Sequence, residues 1–152
     1  MRRFWAPALG LAIVVAVLAP LLCTNLILAR GDMFLYFYPY WDARAAAFLD
    51  LRLPLWTPDV FMGVPFLANP QTGVLYPLNW LVTPWPAPIA VKISLGLHAF
   101  VAWLGLYGFA RRAQALSQPA AMLAATTFAL SGYLLAQAEH VNQFQALAWF
   151  PW

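Results

Sequence analysis

Charge is what this sequence has least of: 9% of its 152 residues are Asp, Glu, Lys or Arg and 64% are apolar, whereas a soluble domain carries roughly a quarter charged residues. That balance excludes an ordinary water-soluble domain and points to an integral membrane protein. Cysteine is nearly absent. Cys23 stands alone, which excludes an internal disulfide, and Leu22 before it lacks the small side chain a lipoprotein cleavage box needs. The chain has no glycine-rich phosphate loop, no Gly-x-Ser-x-Gly elbow and no cysteine pairs at metal spacing. Nor does the net charge of +3 mark a nucleic-acid partner, because the region 30–92 is neutral: Arg30, Arg44, Arg52 and Lys92 balance Asp32, Asp42, Asp50 and Asp59. The excess lies in Arg2, Arg3, Arg111 and Arg112 at the flanks of apolar runs, where cations set topology by the positive-inside rule.

What is present in quantity is long uncharged sequence. Residues 4–29 run without a charge, and about 20 residues at 1.5 Å each cross a hydrocarbon core of roughly 30 Å. This run is expected to be an uncleaved anchor, since a secretory signal has a shorter apolar stretch and a small-x-small exit. Further spans are expected at about 89–110 and 119–137, with a fourth beginning near Phe144 and the chain stopping within that apolar run. The fold class is therefore an all-α polytopic membrane protein: three transmembrane helices plus the start of a fourth, one N-terminal part of a larger membrane domain. With Arg2, Arg3, Arg111 and Arg112 inside, the N-terminus is cytoplasmic and all five carboxylates fall outside the cell membrane.

The stretch 30–88 is too long for an idle connection. Asp32 is expected to cap a helix over 33–38, and Pro39 to open an interfacial helix through residue 51, with Tyr40, Ala43, Ala47 and Phe48 on one side and Arg44 among the residues of the other. From Pro54 onward, prolines and glycines replace periodicity. They imply an irregular, ordered surface with Trp56, Tyr76, Trp80 and Trp85 at the headgroup layer. The run 75–85 is apolar enough to dip into the bilayer.

The candidates for chemistry lie on the outer side. Asp32 follows the first span directly; pressed against Phe34, Tyr36 and Phe37, its carboxylate would serve as a general base, and otherwise it is a helix cap. Arg44 and Arg52 can bind phosphate bidentately and Lys92 as a point charge, set against plain anchoring or surface pairing. Asn69 and Gln71 join them as substrate-binding candidates. Glu139 and His140 sit just beyond the third span as further catalytic candidates. With Asp32 they lack the close spacing of a dedicated metal site, so no cofactor is expected, a divalent metal being the minor alternative. His98 lies mid-span and is expected to be hydrogen-bonded to another helix.

Gly31-Asp32 with Tyr38-Pro39-Tyr40, then Leu53-Pro54-Leu55-Trp56, Gly63-Val64-Pro65, Ala68-Asn69-Pro70-Gln71-Thr72-Gly73, Tyr76-Pro77-Leu78-Asn79 and Gln137-Ala138-Glu139-His140-Val141-Asn142 form a pattern. It resembles the N-terminal part of YfhO-type bacterial membrane proteins, polytopic relatives of the GT-C glycosyltransferases. The resemblance implies transfer of a sugar from a polyprenyl-phosphate donor to a glycan, lipid or protein acceptor on the extracytoplasmic face. Asp32 stands at the position serving the acceptor, with Glu139 and His140 secondary, and the fragment alone is expected to be inactive. The alternative is a non-catalytic envelope-assembly scaffold, or a transporter component, for which His98 and the Ser131-Gly132 break are the available signs.

Overall fold

The computed structural model describes residues 5–152. Arg2 and Arg3, on which part of the sidedness argument rests, and Phe4, the expected start of the first span, lie outside the described residues. Three stretches are long and apolar enough to cross a membrane: Trp5–Leu22, Ala87–Arg112 and Gln118–Glu139, with mean hydropathies of 2.3, 1.7 and 1.4. The chain divides into two compact units, residues 27–94 and the remainder.

In the second of these, helix α1 (Trp5–Leu22) buries Ala6, Gly10, Val14 and Leu18, one residue every four positions. This narrow stripe packs on α5 (Gln118–Ala129), which buries Ala121, Ala125 and Ala129 at the same interval. Small residues let two backbones approach closely, the usual basis of helix association where lipid removes the hydrophobic drive. A Cβ at Gly10 would lie 2.9 Å from Met122 Cγ and collide with the indole of Trp103. Trp103 belongs to α4 (Ala87–Arg112), is buried, and donates its indole N–H to Thr126 Oγ1 at 3.0 Å, so one ring fastens α4 to α5.

Two expected boundaries move. The first helix stops at Leu22 instead of running through residue 29; the amide of Cys23 still reaches Ala19 O at 2.8 Å, and Thr24 Oγ1 donates to the Pro20 carbonyl, closing the helix end with a side chain. The third stretch is interrupted. After α5, Ser131 caps a separate short helix α6 (Gly132–Ala136), its Oγ accepting from Leu134 N at 3.2 Å. A 3-10 turn, Gln137–Glu139, leads to α7 (Val141–Trp149), which begins three residues before the expected start of a fourth span.

The unit 27–94 is built differently. Met33–Phe37 form a π-helical turn running into α2 (Tyr38–Leu49). A helix is expected here, but its buried face is Tyr38, Tyr40, Trp41, Arg44 and Ala47, which turns Arg44 inward rather than leaving it on the outer side. Beyond α2 the expectation of an all-α chain needs a small correction, because Trp56–Thr57 (β1) and Val64–Pro65 (β2) pair antiparallel. Their connection uses left-handed backbone at Phe61, Met62 and Gly63. The cluster Tyr40, Val60, Phe66 and Val74 holds this hairpin against α2, with Tyr36, Phe48 and Leu67 at its margin. The run 75–85 forms no span: helix α3 is a single turn, Pro77–Trp80.

Candidate functional site

Arg44 is the centre of the unit 27–94. It is 1% exposed, its guanidinium carbon lies 4.2 Å from the centroid of the Trp41 ring, and Nη1 donates to Thr72 O at 2.8 Å, while Nε is buried with no hydrogen-bond partner. Burial pulls its pKa down to about 10, which still leaves the group cationic at neutral pH. The cost of burying a cation is offset here by a carbonyl dipole and an aromatic face. The turn that supplies the carbonyl is shaped around it. Gly73 has φ of 61°, and an added Cβ would lie 3.4 Å from Arg44 Nη1 and strike the side-chain amide of Asn79, which donates to Gly73 O at 3.2 Å. A side chain on residue 73 would meet both a disfavoured backbone region and a filled space.

Asn69 and Gln71 are tied into the same turn. Asn69 Oδ1 accepts from Gln71 N at 3.0 Å, capping the 3-10 turn Pro70–Thr72. Its Nδ2 donates to Tyr36 Oη at 2.6 Å, and Tyr36 Oη donates in turn to Gln71 Oε1 at 2.7 Å. Both amides therefore connect the turn to the start of the helical segment. Asp42 has a duty that sequence reasoning missed: Oδ1 accepts from the backbone N–H of Ala87 at 3.0 Å, a carboxylate at the first turn of α4 supplied from 45 positions away.

Beside this frame lies a groove of about 320 Å³ walled by Phe48, Leu51, Leu53, Val74, Leu75 and Trp80, with Arg52 the one charged residue of its lining. Trp80 is fixed by an indole N–H donated to Val74 O at 2.8 Å and by an edge-on contact with Phe48, ring centroids 6.3 Å apart. The end of α2 shapes the groove floor. Arg52 N donates to Ala47 O at 2.9 Å and Leu51 N to Phe48 O at 3.0 Å, the double closure in which glycine normally occupies the left-handed position. Leu51 occupies it here, with φ of 54° and 95% exposure. A leucine held in that region stores strain of about 1 kcal/mol, and it presents a bare apolar side chain to the groove. Arg52 is exposed, with Nε 3.4 Å from Asp50 Oδ2, a surface pairing of little energetic weight.

Asp32 lies at the entry of the π-helical turn with helical backbone angles and makes no capping hydrogen bond through its side chain. It is exposed, whereas a carboxylate enclosed by aromatic rings was the expectation. Lys92 is 7% exposed. Glu139 and His140 belong to the other compact unit, where Glu139 closes the 3-10 turn and His140 starts α7; both are half-buried, and Asn142 Oδ1 nearby is buried without a hydrogen-bond partner. His98 is fully buried in α4. Among the described residues, no group of three or more His, Cys, Asp or Glu is arranged to hold a metal ion.

No family model, curated protein or solved structure matches the chain. The resemblance to YfhO-type proteins therefore rests on the motifs themselves.

Proposed function

We propose that the protein is the N-terminal part of a GT-C-like membrane glycosyltransferase of the bacterial cell envelope, which moves a sugar from a polyprenyl-phosphate donor to an acceptor on the extracytoplasmic face. The observation that carries the reading is the apolar groove with a single arginine in its wall. An isoprenoid chain matches Leu51, Leu53, Leu75 and Trp80 in character, and a lipid phosphate matches the free edge of the Arg52 guanidinium. Arg44 and Lys92, both buried, act through the frame. Asn69 and Gln71 keep the turn in shape, and contact the sugar only through what they leave exposed.

In this reading, exposed Asp32 orients the acceptor hydroxyl and takes its proton. The hydroxyl oxygen attacks the anomeric carbon in line, the bond from that carbon to the phosphate oxygen breaks, and the electron pair leaves with the lipid phosphate, whose charge Arg52 stabilises. In this reading no metal takes part in the transfer. The test is transfer by the full-length protein from a polyprenyl-phosphate sugar: Asp32→Asn should abolish turnover with expression and insertion intact. Retained turnover removes Asp32 from the mechanism.

A transporter component is the second reading, favoured by the break between α5 and α6 at Leu130 and Ser131, since discontinuous spans accompany substrate passage. It predicts that Ser131 variants alter solute flux and that Asp32→Asn does not.

A further inference from the structure

A cavity of about 580 Å³ lies within the all-helical unit. Its walls are Trp103, Tyr107 and Trp152, and Arg111, Arg112 and Gln118 supply its polar groups. We propose that this cavity binds an anionic phospholipid, the headgroup phosphate held by the arginine pair and Gln118 and the proximal acyl chain lying on the aromatic wall.

Four observations carry this. First, the wall is rigid: Trp103 and Tyr107 stack with centroids 5.0 Å apart and planes at 9°, and the Trp103 indole is tied to Thr126. Trp152 is likewise anchored, donating its indole N–H to Val101 O at 3.1 Å and closing over Gly105, where a Cβ would strike its ring. Second, the charge is of one sign. Arg111 and Arg112 end α4, whereas the only carboxylate in this unit, Glu139, lies at the opposite end of the Gln118–Glu139 stretch. Third, donors remain. Arg111 uses one N–H to hold the Leu116 carbonyl of the following turn, and a guanidinium carries five, so a second edge is available for phosphate. Fourth, the cavity sits at the arginine-bearing end of the long apolar helix α4, and basic pockets at such ends of membrane helices take anionic headgroups. Topology alone asks of an arginine pair only its charge; a shaped aromatic wall beside that pair is additional.

The test is native mass spectrometry of the full-length protein exchanged into phosphatidylglycerol or phosphatidylcholine, with glycerol 3-phosphate as soluble competitor. Phosphatidylglycerol should be retained at least about tenfold more than phosphatidylcholine, and excess glycerol 3-phosphate should leave it in place. Gly108→Leu fills the cavity without changing charge or topology and should abolish the preference, as should Arg112→Gln at an exposed position. Gly108→Ala should keep it, since the added Cβ stands 3.7 Å from Arg112 Nη1, an ordinary contact. Equal retention of the two lipids, or an unchanged preference in Gly108→Leu and Arg112→Gln, overturns the proposal. Displacement of the lipid by glycerol 3-phosphate overturns the lipid assignment in favour of a soluble phosphate ester.

Discussion

The two compact units solve the same problem with opposite materials. In the all-helical unit, narrow stripes rich in small residues bring α1 and α5 into contact and one indole, hydrogen-bonded to Thr126, fastens α4 alongside, so close packing carries most of the association. In the unit 27–94, short pieces of structure are joined by hydrogen bonds between distant residues: Arg44 to Thr72, Tyr36 to Gln71, Asp42 to Ala87. Helices satisfy their own backbone and need only a surface to lean on. Loops carry carbonyls and amides that must be met from elsewhere, and polar side chains are recruited to meet them. The lesson is that charged residues here divide by placement: Arg44 is buried against Trp41 and Asp42 meets the Ala87 amide, whereas Arg52 and Asp32 are exposed.

Substitutions can break this contrast at either end. Arg44→Ala should have the largest effect, about 2–4 kcal/mol, because it strands the Thr72 carbonyl and leaves a hole beside Trp41; the unit 27–94 should lose hydrogen-exchange protection while α1 and α5 keep theirs. Gly10→Val should do the reverse, costing about 1–3 kcal/mol by overpacking and lowering the temperature of whole-protein unfolding followed by tryptophan fluorescence. Asn69→Ala should cost about 1 kcal/mol through loss of a cap, read as faster proteolysis within the turn. Leu51→Gly should stabilise by about 0.5–1 kcal/mol by relieving left-handed strain, yet weaken binding of a short-chain isoprenyl phosphate, separating stability from function at one residue. Arg52→Gln should shift stability by less than about 0.5 kcal/mol and still lower that binding, as measured by calorimetry.

Much of the architecture was legible from composition and run length. Two of the three long apolar stretches fall within a few residues of the limits expected for spans, because an uncharged run of about 20 residues has few alternatives to a helix of membrane-crossing length. An ordered stretch rich in Pro and Gly could also be anticipated from its punctuation. The inward turn of Arg44 could not, since its partner carbonyl at Thr72 is 28 positions away and a cation reads as surface by default. The capping of α4 by Asp42 was hidden for the same reason. The early end of α1 was masked by residues 26–29, which are as apolar as the helix before them. As for the site, the sequence marked Asp32 and Arg52 as candidates but not the groove: it is assembled from α2, the turn after it and α3, and no local spacing announces it.

The central claim is that the groove walled by Phe48, Leu51, Leu53, Leu75 and Trp80 holds the isoprenoid end of a lipid-linked donor. A photoreactive polyprenyl phosphate, cross-linked to the full-length protein in vesicles and mapped by peptide mass spectrometry, tests it most directly. Labels concentrated on peptides 48–55 and 74–81, and lost in Arg52→Gln, are the predicted result. Labelling confined to the spans, with those two peptides unmodified, would contradict the account.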